Sequence, residues 1–282
     1  ETLADLDGVL PRVEKALQGL QAEGRTGKTL HYYAEGLKAL CNWCVQHGYL
    51  AMDPIKGLAP FDTTPQTIRR AMTEDEIEAL LAVAPEDRAL LYQTAFLSGL
   101  RRNELRNLKM EHLDLDRCGL ILDADWTKNR KSGFQPLPRW LAEKLRNFSE
   151  SGKPSDLYAK AYRRGNAKRQ PPKSPLLYVP SDPARSIGRD LDAAGISRTT
   201  PKGKLDFHAC RTAYINLLLE SGELTAKEVQ ELARHQSLDL TMNVYGRVRE
   251  DRLAQGIERV SEAVFEEKRA IYVQRQAVGA EQ

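Results

Sequence analysis

The stretch "MDPIKGLAPFDTTPQTIRR", residues 52–70, most constrains what this chain can fold into. It carries Pro54, Gly57, Pro60 and Pro65 and has no sustained apolar period. Proline fixes φ and removes a backbone donor, and glycine costs backbone entropy, so neither a helix nor a central strand runs through it. The expected organisation is a helical first domain over 1–62, a linker over 63–70, a second domain over 71–250 and a helical tail over 251–282. A length of 282 residues, 41% of them hydrophobic, is enough for two cores.

In the first domain, "LADLDGVLPRVEKALQGLQ" repeats apolar residues from Leu3 to Leu20 at helical spacing. "TLHYYAEGLKALCNWCVQHG" does the same, with Gly48 as the expected stop. The second domain opens on Thr73 and Glu76, a T-x-x-E capping box before Ile77, Leu80 and Leu81. "DRALLYQTAFLSGL" reads as a buried helix ended by Gly99. Then the period changes: "GLILDA" and "FQPLP" read as two strands joined by a polar turn that holds Lys128. Helices are expected again over 206–221, 225–235, about 238–246 and 250–272. The class is mainly α with one small antiparallel β-sheet, an α+β protein without internal repeats.

No apolar run approaches the roughly 20 residues of a membrane span. The start, "ETLADLDGVL", has no basic n-region, apolar h-region or initiator Met. That reads as a trimmed chain without a signal peptide, and it leaves room for a further N-terminal module. Cys41 and Cys44 form a CxxC inside a helical pattern with no second ligand pair, so structural thiols in a reducing cytoplasm are expected. The net charge of +3 says little, but its distribution says more. From 151 to 175 the bases Lys153, Lys160, Arg163, Arg164, Lys168, Arg169 and Lys173 face one acid, Asp156. Such a block neutralises phosphates or forms a solvated loop, and the segment alone does not decide between them. Residues 1–62 hold eight acids against six bases. A nucleic-acid surface there requires Lys28, His31 and Lys38 to share a face.

Four segments carry residues suited to phosphate chemistry. In "SGLRRNELRNL", Arg101 follows a helix end, and Glu104 is placed to hold its guanidinium, or the two form an ordinary surface pair. In "DWTKNRKSG", Lys128 stands at a turn and can give up a proton, with Arg130 and Lys131 as competitors. In "DFHACRTAYINLLLESG", Asp206 reads as the N-cap. Cys210, Tyr214, Leu217 and Leu218 then form the apolar stripe, and His208, Arg211 and Ile215 fall opposite, with His208 and Arg211 near the positive end of the helix. In "LTAKEVQELARHQSLDLTMNVY", a capping box of Thr225 and Glu228 starts a helix ending in His235, and a short helix follows to Tyr245. Tyrosine is a poor nucleophile at its free pKa of about 10. It needs a proton acceptor and cations around the attacked group.

With these residues in order, the chain resembles the tyrosine recombinases of the phage integrase family. "GLRRNEL" resembles that family's first arginine motif, and "HACR" its H-x-x-R. "TKNRKSG" resembles its lysine-bearing strand–turn–strand, and "RHQSLDLTMNVY" its last box. The resemblance implies a catalytic set of Tyr245, Arg101, Lys128, His208, Arg211 and His235, supported by Glu104. It leaves Lys131 as an alternative to Lys128, because the turn is short of glycine. Arg234 stands where the family often has glycine. The resemblance further implies a helical core-binding domain in residues 1–62 that clamps DNA with the catalytic domain. Lys28, Lys38, Arg130, Lys131, Arg163, Arg164, Lys168 and Arg169 are the DNA-binding candidates.

The implied function is site-specific cleavage and rejoining of DNA through a 3′-phosphotyrosine, with no metal, ATP or other cofactor. The implied partners are double-stranded recombination sites, three further protomers in a synaptic tetramer, and accessory DNA-bending or directionality factors, with no membrane. The setting is a prokaryotic cytoplasm, at the nucleoid. Leu253, Ile257, Val260, Val264 and Ile271 give the tail an apolar stripe that docks on a neighbouring protomer or on its own domain. A type IB topoisomerase shares the chemistry but would not synapse two sites. A non-catalytic DNA-binding protein would not cleave.

Overall fold

The computed structural model describes residues 6, 8–65, 68–126, 132–165 and 172–245, with backbone alone at 240 and 243–245. The expected tail helix, Lys128, Arg130, Lys131, Lys168 and Arg169 lie outside these residues. The chain divides into two compact units, Glu1–Ile68 and Arg69–Gln282.

The first unit pairs α1 (Leu10–Ala22) with α2 (Gly27–Gln46). Helix α1 starts at Leu10. Pro11 sits in its first turn, where a missing N–H costs nothing. Thr26 caps α2 by accepting the Thr29 amide at 3.3 Å. Leu17, Leu30, Ala34, Cys41, Ile55 and Leu58 form the core. Cys41 and Cys44 are buried and unbridged, so both act as small apolar side chains. Lys28 is exposed, and Lys38 pairs with Glu35 at 3.4 Å.

The second unit begins with α3 (Glu74–Val83), whose Thr73–Glu76 capping box forms as expected. Then come α4 (Glu86–Ser98) and α5 (Arg102–Asn107). Strands β1 (Leu113–Asp114), β2 (Gly119–Leu122) and β3 (Gly133–Pro136) make an antiparallel sheet in that order, with Leu120 opposite Gln135. Helices α6 (Arg139–Glu150), α7 (Lys153–Arg163) and α8 (Pro183–Ala193) follow. A second ribbon pairs β4 (Thr199–Thr200) with β5 (Gly203–Lys204), where only one sheet was expected. The chain then forms α9 (Ala209–Ser221), α10 (Ala226–Ala233) and α11 (Leu238–Tyr245).

The basic block is not a loop over its first half. Lys153, Lys160 and Arg163 ride on α7, which buries Pro154 and Tyr158 and leaves its cations outside. Helix α4 packs on α9, and both are buried around much of their circumference. A helix at the centre of a domain has no polar face to show. The core around them includes Leu90, Leu91, Phe96, Leu105, Leu120 and Leu141. Each such side chain contributes about 1.5–3 kcal/mol on burial. A polar lock joins α4 to α8: Asp190 accepts from Arg88 Nε at 2.7 Å, Arg88 Nη2 at 2.8 Å and the Tyr92 hydroxyl at 2.6 Å. Among the described residues, no helix is long and apolar enough to cross a membrane.

Candidate active site

Helix α4 ends at Gly99, which adopts φ +58. That conformation suits glycine, and a Cβ there would also overlap the Tyr214 ring. The chain turns sharply and presents Arg101 as the residue before α5. Glu104 is 2% exposed at its side chain and Arg101 is 37% exposed. Glu104 Oε1 accepts from Arg101 Nη1 at 2.9 Å, and Oε2 accepts the Arg101 amide at 2.8 Å. The pair is therefore one-sided: a buried carboxylate anchors a guanidinium that reaches solvent. Burial alone would raise the Glu104 carboxyl. The Arg234 guanidinium and the Arg101 amide and guanidinium outweigh it and hold the carboxyl below its ordinary range.

Helix α9 starts three residues later than expected. His208 occupies the N-cap position, and Asp206 instead accepts the His208 amide at 2.8 Å and Arg69 Nε at 2.8 Å. Arg211 and Ile215, expected on the face away from the apolar stripe, are both buried. Helical periodicity gives the two faces but not what covers each. Here α4 and α10 pack on α9, and both faces are covered. Arg211 satisfies its buried guanidinium by donating Nη1 to the Gly99 carbonyl and Nη2 to the Ala233 carbonyl. It thus clamps the turn before Arg101 to the end of α10. Beside it lies a shallow cavity of about 190 Å³, lined by Leu100, Arg102, Asp206, His208 and Arg211 among others.

Helix α10 starts on the Thr225–Glu228 capping box and stops at Ala233, two residues before the expected end. Arg234 caps it with φ +52, a left-handed conformation that costs an L-residue roughly 1–2 kcal/mol. The turn throws His235 out of the helix. Its Nδ1 lies 2.9 Å from the Thr241 hydroxyl, and Gln230 Nε2 holds its carbonyl at 3.0 Å. Thr241 is fully buried on α11, and position 245 is one helical turn beyond it, at the C-terminal end of that helix.

These side chains form one electrostatic cluster. Burial, then Arg211, Arg101, Arg234 and His208, pushes His235 down to about 4. Burial, then Arg211, Arg69 and Arg101, also lowers His208, with Asp206 opposing. Both rings are held toward the neutral form by cations on several elements. Arg101, His208, Arg211 and His235 are brought together. Lys128 lies outside the described residues, though the β2 and β3 strands that flank its turn are in place. Arg163 and Arg164 lie exposed at the end of α7. Thr241, Gln135 and Tyr214 also belong to the cluster, and nothing in the pattern of the sequence marks them.

The model of the phage integrase family matches residues 70–252. The chain belongs to the phage integrase family. It is 30% identical over 198 residues to the tyrosine recombinase XerA of Thermococcus kodakarensis, covering 69% of this chain and 64% of that protein. Against Tyrosine recombinase XerC of Pseudomonas aeruginosa it is 28% identical over 235 residues, 79% of this chain and 69% of that protein. The chain spans less than two thirds of the Thermococcus kodakarensis protein. Among solved structures, the Tn1549 transposon integrase in complex with transposon right end DNA superposes with a TM-score of 0.61 at 17% identity, over 89% of this chain and 85% of that one. A lambda integrase dimer bound to a COC′ core site gives 0.60 at 16% identity, over 86% and 82%. Both likenesses are of fold, and the mainly helical architecture with small antiparallel sheets is that of the family's members.

Proposed function

We propose that the protein is a site-specific DNA recombinase that cleaves and rejoins strands through a covalent 3′-phosphotyrosine. The observation that carries this is the meeting of Arg101, His208, Arg211 and His235, with the helix after His235 ending at position 245. Arg101, Arg211 and His235 surround the two non-bridging oxygens of the scissile phosphate. They stabilise the charge that grows in the trigonal-bipyramidal transition state. Tyr245 Oη attacks phosphorus in line, and the bond to the 5′ oxygen breaks. His208, held neutral, takes the phenolic proton. Lys128, or Lys131 on the same turn, protonates the departing 5′ oxygen. Glu104 orients Arg101. The phosphotyrosine keeps the energy of the broken bond, so rejoining needs no ATP, and the cations supply the charge that a metal supplies elsewhere.

Residues 1–62 act as the core-binding domain, 63–70 as linker and 71–250 as the catalytic domain. The stretch 251–282 docks on a neighbouring protomer within a tetramer, joined by accessory DNA-bending or directionality factors. Lys28, Lys38, Arg130, Lys131, Arg163, Arg164, Lys168 and Arg169 contact phosphates. The named relatives are recombinases of prokaryotes, which supports action in the cytoplasm on nucleoid DNA. The test uses a nicked suicide duplex from the DNA flanking the protein's own gene, at the site found by footprinting. Wild-type protein becomes covalently joined to it, and Tyr245→Phe binds it without an adduct. An adduct that persists in Tyr245→Phe refutes the assignment.

A further inference from the structure

We propose that Arg234 is a positioning residue of the active site, whose guanidinium ties the Arg101–Glu104 pair to Gln135 of β3. The inference rests on the recombinase reading for what the joined segments do. Position 234 is left-handed, where glycine is unstrained and arginine is not. The backbone gives no reason for an arginine, so the reason lies in the side chain. It turns inward and is 12% exposed. Nη2 donates to Glu104 Oε2 at 2.9 Å, and Nη1 donates to Gln135 Oε1. Gln135 is buried, and its Nε2 donates to the Tyr214 hydroxyl at 3.1 Å.

One chain of bonds therefore runs from Arg101 through Glu104, Arg234 and Gln135 to Tyr214. It joins four segments. Glu104 holds the segment of Arg101. Gln135 lies on the strand that leaves the lysine-bearing turn. Tyr214 lies on α9 with Arg211, and Arg234 is covalently next to His235. Arg234 and Gln135 are its two middle links, each bonded to two of the other side chains.

The charge balance gives the same answer. One carboxylate cannot neutralise two guanidinium groups, so Arg101, Glu104 and Arg234 together keep one positive charge. Arg101 is the more exposed of the two cations and is the one that meets a phosphate. Without Arg234, Glu104 would pair with Arg101 alone and draw down the charge that Arg101 offers. Among the described residues the buried Arg234 Nε finds no hydrogen-bond partner, so the fold bears a cost to keep this group inside.

The experiment compares wild type, Arg234→Gly and Arg234→Lys on the nicked flanking duplex. Glycine relieves the left-handed strain while removing the bridge. Lysine keeps the charge but lacks the planar fork that sets separate nitrogens on Glu104 and Gln135. The expected result for Arg234→Gly is adduct formation about 30-fold slower at saturating duplex, with Kd changed by less than about threefold. Arg234→Lys recovers part of the rate. In the DNA-free protein, Arg234→Gly speeds amide exchange over residues 101–108 and 133–136 and leaves α6 unchanged.

Wild-type cleavage by Arg234→Gly overturns the proposal. So does a rate loss that saturating duplex restores, which would make Arg234 a DNA contact. Equal losses in both variants with a lower unfolding midpoint also overturn it, because the role would then be structural. If wild type itself forms no adduct, the recombinase reading falls, and unchanged exchange in Arg234→Gly overturns the positioning role independently.

Discussion

Acidification should destabilise the protein through His235 in a way that one substitution isolates. Its pKa is pushed from 6.5 down to about 4 by burial and by Arg211, Arg101, Arg234 and His208. Between these values the unfolded chain binds a proton that the folded protein refuses. Stability is therefore complete above about pH 6.5 and is lost as pH falls toward 4. At pH 5 the full shift corresponds to about 2 kcal/mol, and solvent screening of a half-buried ring reduces that to about 1–2 kcal/mol. For a body of this size the midpoint moves about 2–4 °C per kcal/mol, so the expected loss is about 2–8 °C. The assay is thermal unfolding at pH 7.5, 6.5, 5.5 and 5.0 for wild type and His235→Gln. Carboxylates titrate in both proteins and cancel in the difference. Glutamine can still hydrogen-bond Thr241, so any constant offset between the two is set aside, and only the pH-dependent part is read. A difference that stays flat from pH 7.5 to 5.0, or that grows in favour of wild type on acidification, would refute the reasoning.

Asp190→Ala breaks the α4–α8 lock and leaves Arg88 and the Tyr92 hydroxyl without their acceptor. Because Arg88 is 23% exposed, the expected cost is at the low end of that for a broken buried ion pair, about 3 kcal/mol by urea unfolding. A loss under about 0.5 kcal/mol would mean that the lock is redundant. For DNA binding, Kd is measured between 50 and 200 mM salt for wild type and the double variant Arg163→Ala/Arg164→Ala. If both arginines neutralise phosphates, the slope of log affinity against log salt becomes shallower by about 1.8. An unchanged slope removes them from the DNA surface.

Local chemistry made much of the fold readable. The two T-x-x-E boxes start α3 and α10 where Thr73 and Thr225 stand, because each satisfies amides within its own first turn. Gly99 ends α4 for a reason equally local, its tolerance of positive φ. The ribbon of β4 and β5 was not legible, because two-residue strands carry no period. The amphipathic reading of α9 was half right: periodicity gave a stripe, but α10 covers the other side and buries Arg211.

The sequence by itself determined the order of the candidate residues, the helices near which most of them stand and the family to which the chain belongs. It did so because caps, turns and motif spacings act over a few residues. Only the tertiary structure decided how those residues meet. The Arg211 guanidinium spans carbonyls at 99 and 233, and Arg234 spans side chains at 104 and 135. Contacts across a hundred residues depend on which helices cover which faces, and no local pattern encodes that.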